Sequence, residues 1–392
     1  MRLALNNDYQ SLKDSPLFNL SLANKELFHS NFFAWLAERN ETKHLFVRAM
    51  ESLLKKKVPW AEDFLNNSRK FLIKREYEHF DLCILRITPQ DNKNGKPKKD
   101  LLLPVFVLEN KNKSLPDYDQ LKRYEDSVEK VWSKWGKKYD KNSITYLLLS
   151  LATDFPDKEK IEREQTWSIS SYGDLAKVLV PPVTINTYYY YLINDYIWFI
   201  SILHELSQKW LNIQTYLMPD KEREQLNECR IYDISDKIRH SRFVSIYKSK
   251  YGQEITSFFS NGAGLEWSCN KNDIEVIIQI QNGQYRHAVK TTSHQQKIGE
   301  NYQKRKEKAE KLIKKADVRD FLKFSENDKV FQDGNDIFEE GIYPHEKGNQ
   351  FNLFEKMGSN GYLILYQYRK IKKEAKVEDV LTYLSDDIKK IS

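Results

Sequence analysis

The residues best placed to do chemistry stand at the end of an apolar run, Leu103 to Lys111, which reads Leu-Pro-Val-Phe-Val-Leu-Glu-Asn-Lys. Side chains two apart on a strand share a face, so Glu109 and Lys111 present a carboxylate and an ammonium together. Asp81, on the preceding predicted strand, supplies a second acid. With residues 88–100 as the connection, hairpin pairing sets Asp81 across from Val107 and diagonal to Glu109; a two-residue adjustment makes the acids directly opposed. Either register has even parity and keeps both carboxylates on one side. Two carboxylates with a backbone carbonyl, that of Asn110, suit Mg²⁺ or Mn²⁺, ions that retain waters and accept phosphate oxygens. Such a metal acidifies its own water, the chemistry of phosphodiester cleavage. The two acids favour the charged form of Lys111 and oppose its use as a base. Its expected role is to orient the attacking water and stabilise phosphorane-like charge.

The elements around these residues follow from periodicity and turn chemistry. Asn24 caps a helix whose apolar positions Phe28, Phe32, Trp35 and Leu36 fall at helical spacing, and residues 41–57 continue helical after a break. Residues 71–77 and 80–87 read as strands with a bend at Glu78 and His79. Residues 88–100, with two prolines, a glycine and several lysines, form a solvated turn before the strand at 101–108. Leu115 and Pro116 start a helix that runs to about residue 132–135, with Asp117 and Asp119 complementing its dipole. Strands at 144–151 and 167–171, a short helix at 172–179 and a long helix at 188–211 follow. Strands separated by helices imply an α/β layer with covered central strands. Residues 220–228 are highly charged, and a domain boundary is expected at 218/219. Beyond it lie a helix at 229–251, strands at 264–268 and 273–281, an Asn282-Gly283 turn suited to type I′ geometry, a returning strand at 284–291, a strand at 361–368 and a closing helix at 377–391. The second domain is expected to be α+β.

Asp81 with Glu109-Asn110-Lys111 resembles the PD-(D/E)XK nuclease superfamily, in which an acid on one strand precedes a Glu-x-Lys on the next. Gln120 and Tyr124, in Asp-Gln-Leu-Lys-Arg-Tyr, are similar to the Gln-xxx-Tyr motif of RecB-like members, and at i and i+4 they face one side. The opening Lys-Glu-Leu-Phe-His-Ser-Asn-Phe-Phe-Ala-Trp-Leu resembles the first helix of a bacterial branch, where an acid corresponding to Glu26 faces the metal. The superfamily's proline before the first acid is absent, since Phe80 precedes Asp81. The resemblance covers roughly the first half of the chain. It implies a restriction-endonuclease-like mixed sheet flanked by helices over residues 1–218, with 219–392 as an accessory domain. It also implies a metal-dependent nuclease, DNA favoured over RNA, and a setting in defence or DNA processing. Gln120, Lys122, Arg123 and Tyr124 would hold the substrate backbone, and Glu76 would join the acids. An acid-x-lysine triplet also occurs at Asp387-Ile388-Lys389, on what reads as a surface helix.

Composition narrows the field without deciding it. Lys+Arg of 63 against Asp+Glu of 56 gives a net charge of +7, which favours a polyanionic partner. Cys83, Cys229 and Cys269 are far apart, which argues against disulfides or structural zinc and fits a reducing cytoplasm. No signal-peptide core is expected at the N-terminus, and residues 188–211 are too often interrupted by polar groups to span a membrane. No P-loop, zincin helix or nucleophile elbow stands at a convincing position. Each remaining candidate has a structural alternative. His29 either touches a phosphate or is a satisfied surface or boundary residue; Glu26 either faces metal or meets a helix dipole; Glu76 and Glu78 either join the site or line a solvated strand. Tyr188 to Tyr191, Tyr196, Trp198 and Phe199 suggest base stacking, but their helical spacing favours core packing. Lys304, Arg305, Lys306 and Lys308, in the basic run 297–315, either track phosphates or form a solvated helix. The competing functions are an inactive nucleic-acid-binding module and a partner-binding or sensor protein, with oligomer or partner contacts through the C-terminal domain.

Overall fold

The computed structural model describes residues 2–22, 25–89, 100–112, 114–134, 140–152, 154–155, 157–212, 214–258, 263–271, 274–291, 337–339, 352–356 and 362–391. The chain divides into two compact units, residues 1–211 with 225–238, and 212–224 with 239–392. The expected boundary at 218/219 falls within a segment that belongs to the second unit.

The first unit is built on a mixed sheet in the order β1-β2-β3-β4-β5: β1 (Phe71–Tyr77), β2 (Phe80–Thr88), β3 (Leu101–Lys111), β4 (Thr145–Ser150) and β5 (Trp167–Ser171). The hairpin strands β1, β2 and β3 run antiparallel, while β3, β4 and β5 run parallel. β3 and β4 are buried along almost their whole length, as apolar runs must be when helices cover both faces. On one face lies α6 (Tyr118–Lys134), whose Leu121, Tyr124 and Val128 pack on Cys83, Leu85, Val107 and Leu148. The opposite face carries Phe106, which meets Phe46 of α4 (Lys43–Leu54) edge-on at 6.0 Å. α3 (Lys25–Glu38) packs against this sheet, and α1 (Arg2–Asp14), α2 (Pro16–Ser21), α5 (Ala61–Asn66) and α7 (Lys158–Glu164) complete the surround.

α8 (Tyr172–Val178) begins with a capping box between Ser171 and Asp174. It lies so close to α9 (Thr187–Leu211) that a Cβ on Gly173 would fall 2.2 Å from the His204 ring, which is why only glycine fits there. Along α9, Tyr196 and Phe199 are buried, and Tyr196 stacks on Phe32 of α3 at 3.7 Å. Core packing was the expectation for the whole aromatic set, and here the structure corrects it. Tyr188, Tyr191 and Trp198 are exposed, because α1, α2, α3 and α8 pack elsewhere on the helix.

α10 (Asp220–Glu228) and α11 (Tyr232–Tyr251) lead into the second unit, whose antiparallel sheet has the order β10-β11-β9-β8-β7-β6. Its strands are β6 (Thr256–Phe258), β7 (Gly264–Lys271), β8 (Ile274–Gln281), β9 (Gln284–Thr291), β10 (Asn352–Lys356) and β11 (Tyr362–Lys370), closed by α12 (Val377–Ile391). The β8–β9 hairpin turns through Asn282 and Gly283 at φ of 52° and 73°, the two positive angles a type I′ turn requires. The core joins Leu265, Val276, Ile278 and Tyr285 of the sheet to Phe243 of α11 and Leu381, Leu384 and Ile388 of α12. Asp387 is buried as well, not on a solvated surface as expected: its carboxylate accepts from the Tyr285 hydroxyl (3.0 Å) and lies 2.8 Å from His287 Nε2. Among the described residues no helix is long and apolar enough to cross a membrane.

Candidate active site

A one-residue irregularity in the β2–β3 hairpin decides the geometry of the acids. Near the loop Thr88 pairs with Leu101, Arg86 with Leu103 and Leu85 with Pro104; then the register moves by one, and Ile84 pairs with Phe106, Cys83 with Val107 and Leu82 with Leu108. Val105 is the extra residue. Proline has no N–H for the ladder and is accommodated where the ladder breaks, so the bulge falls beside Pro104. Continued by one pair, this register sets Asp81 opposite Glu109, which corrects the diagonal placement against Val107. Had the loop-end register continued unbroken, Asp81 would face Leu108 and the acids would point to opposite sides of the sheet.

β3 therefore sends alternate residues to two different tasks. Val107, Glu109 and Lys111 face α6, while Phe106, Leu108 and Asn110 face the other side. Lys111 Nζ lies 2.8 Å from Glu109 Oε1, with both side chains buried. Asp81 Oδ2 accepts the backbone N–H of Asn110 at 2.6 Å, tying the first acid to the strand that bears the second. Behind the sheet, the Asn110 side chain donates to Ser30 Oγ on α3 (3.1 Å) and accepts from the Tyr172 hydroxyl on α8 (3.4 Å). A buried and satisfied polar side chain of this kind fixes the rotation of the strand. Ser150, the register partner of Lys111 on β4, adds a buried hydroxyl to the acid-bearing face.

α6 brings the remaining groups. Its start is set by Asp117, whose Oδ1 accepts the Gln120 N–H at 2.6 Å, so Asp117 acts as the cap and the helix begins two residues beyond Pro116. Gln120 Nε2 donates to the Tyr124 hydroxyl at 2.8 Å. Burial, and then the charges of Glu109 and Asp81, hold the Tyr124 phenol well above its ordinary value, against the opposing pull of the Gln120 hydrogen bond. The phenol thus lies close enough to feel both carboxylates. Arg123 is exposed; Lys122 is engaged with Asp126 at 3.2 Å.

Other expected residues fare differently. His29 is buried, with Nδ1 2.8 Å from the Tyr196 hydroxyl, so it is neither a phosphate contact nor a boundary residue. Burial lowers its imidazole to about 3. Glu76 and Glu78 are exposed at the β1–β2 turn, where Glu76, Glu78 and His79 all adopt positive φ (53°, 50° and 71°). Glu26 lies in the first turn of α3, and its side chain is outside the described residues, as are Lys304, Arg305, Lys306 and Lys308. Ser30, Tyr172 and Ser150 also stand at the site, and no local signal in the sequence marks them. The bulge did leave one sign, a proline inside an otherwise strand-like run.

The donor set is hard oxygen from two acids that also hold polar hydrogens. Among the described residues no three acidic, histidine or cysteine side chains converge. Two carboxylates with a carbonyl match a small divalent cation that keeps much of its water, and not a fully protein-caged ion. Residues 17–191 match the family model of the PD-(D/E)XK nuclease superfamily. No curated protein and no solved structure matches the chain. The matched segment holds Asp81, Glu109, Lys111, Gln120 and Tyr124.

Proposed function

We propose that the N-terminal unit hydrolyses phosphodiester bonds of DNA, with Mg²⁺ or Mn²⁺ held by Asp81, Glu109 and the carbonyl of Asn110. One observation carries the reading: Asp81, Glu109 and Lys111 share one sheet face, with Lys111 2.8 Å from Glu109 and Tyr124 of α6 packed on that same face. A bound divalent ion would acidify a water and withdraw charge from the phosphate. Lys111, steered by Glu109, orients the nucleophile and offsets charge that develops on phosphorus. Tyr124 accepts from Gln120, which leaves its own hydrogen for a phosphate oxygen of the substrate. Arg123, exposed on the same helix, is the cation available to a neighbouring phosphate. Lys304, Arg305, Lys306 and Lys308 belong to this reading by charge alone.

The test is incubation of the purified chain with linear, circular and single-stranded DNA and with RNA, in Mg²⁺, Mn²⁺ or EDTA. DNA should be cut only with metal present, and Asp81→Ala should abolish cutting. Cleavage that survives both EDTA and Asp81→Ala overturns the site. Cleavage confined to RNA reassigns the substrate, and DNA binding without cleavage of any substrate leaves an inactive binding module.

A further inference from the structure

Five of the six large hydrophobic side chains that are exposed among the described residues fall within residues 180–198: Val180 (57 %), Val183 (86 %), Tyr188 (67 %), Tyr191 (68 %) and Trp198 (42 %). At 3.6 residues per turn, the three aromatic residues lie within an arc of roughly 80° on α9. The opposite side of the same helix is core, through Tyr196 on Phe32 and Tyr189 on Trp35. Applied to aromatic side chains of about 150–250 Å², the exposures of Tyr188, Tyr191 and Trp198 present on the order of 350 Å², enough for the apolar centre of an interface whose standard size is roughly 800 Å² per partner. Tyrosine and tryptophan are also the residues that most often anchor protein interfaces.

Charge decides between occupants. From Val178 to Leu203 the sequence holds a single charged residue, Asp195, in a chain of net charge +7. Between Thr187 and Leu203, α9 itself offers a nucleic acid no cation and one carboxylate to repel it, and the nearby Arg48 is engaged with the Val180 carbonyl. A second copy would meet the least like-charge repulsion through this face. Asp195 also makes the face complementary to itself. In an antiparallel pair of α9 helices related by a two-fold axis at Tyr191, Asp195 of each copy lies beside Thr187 of the other. Thr187 begins α9, whose first turn carries no acidic residue of its own, so the positive end of its dipole receives the other copy's carboxylate.

We propose that the exposed aromatic face of α9 is a homodimer surface, with Tyr191 on the two-fold axis and Asp195 of each copy set against the α9 N-terminus of the other. The inference does not depend on catalysis, and its readout is mass. Sedimentation of the full chain over a range of concentrations should show a reversible monomer–dimer transition. Tyr191→Lys should raise the dissociation constant a hundredfold or more, on the order of the loss of a hot-spot residue. Asp195→Lys should raise it by about tenfold or more, since it sets like charge against the helix end. Tyr191→Phe should leave the dimer intact. Circular dichroism and melting identify any variant that misfolds, and hydrogen exchange of the wild-type chain offers a readout free of mutation: amides in 187–198 should gain protection as concentration rises. A chain that stays monomeric throughout overturns the proposal. So does a dimer that both lysine variants leave unchanged, or a loss of DNA binding in Tyr191→Lys with no change in mass.

Discussion

An acid-x-lysine triplet stands on β3 as Glu109-Asn110-Lys111 and again on α12 as Asp387-Ile388-Lys389, and the structure puts the two to opposite uses. On the strand, residues two apart share a face; Glu109 and Lys111 are buried together at 2.8 Å, with Asp81 in the next strand. On the helix, residues two apart point to nearly opposite sides. Asp387 turns inward to Tyr285 and His287, while Lys389 is 61 % exposed and pairs with Asp386 at 3.2 Å. The same acid-x-lysine pattern thus makes a candidate catalytic constellation in one unit and a structural one in the other. Backbone periodicity, not composition, is the cause.

The largest expected effect breaks the strand site. Asp81→Ala or Glu109→Ala should abolish divalent-metal binding and cleavage while the fold persists, because each removes one of the two proposed carboxylate donors. Calorimetry with Mn²⁺ and a cleavage assay check this, and full activity in both variants would refute the site. Lys111→Ala should come next, lowering turnover by on the order of a hundredfold with little change in metal affinity. Metal affinity that collapses in Lys111→Ala would mean that the lysine organises the acids instead of the water.

The helix triplet should answer differently. Asp387→Ala should leave cleavage unchanged but cost the second unit about 3–5 kcal/mol, the usual result of removing one partner of a buried pair. Denaturant unfolding monitored in the second unit reads this. Burial pushes the Asp387 carboxyl up, but the His287 hydrogen bond and charge, with Lys390 and Tyr285, outweigh it and hold the group below its usual range. A carboxylate lowered in the folded state stabilises above its unfolded value, and that contribution is lost as pH falls through the folded one.

The smallest effect separates the units by pH. His29, buried and neutral with a folded value of about 3 against 6.5, takes up a proton more readily when unfolded. Its contribution is complete above 6.5 and declines as pH falls toward 3, by up to about 1.4 kcal/mol per pH unit. Melting of the first unit should therefore fall between pH 6.5 and 4, where Asp387 still holds the second. His29→Gln should flatten that slope. An unchanged slope in the variant would place the acid sensitivity elsewhere.

Much of this protein was legible residue by residue. The Glu109–Lys111 pair, the strands that carry it, the helix bearing Gln120 and Tyr124, and the Asn282-Gly283 hairpin all follow from periods and turn preferences that act over a few residues. What lay beyond reach depended on distant partners. The register that sets Asp81 opposite Glu109 rests on a bulge at Val105, which pairing across the sheet selects. Ser30 and Tyr172 join Asn110 only because α3 and α8 pack behind the strand. His29 and Tyr196 are core while Tyr188, Tyr191 and Trp198 are surface, although all stand on helices rich in aromatic residues. A sequence determines the spacing of side chains along an element, because that is set by local backbone geometry. Which side of the element meets another, and in which register, is settled only when the elements compete to bury their apolar faces together.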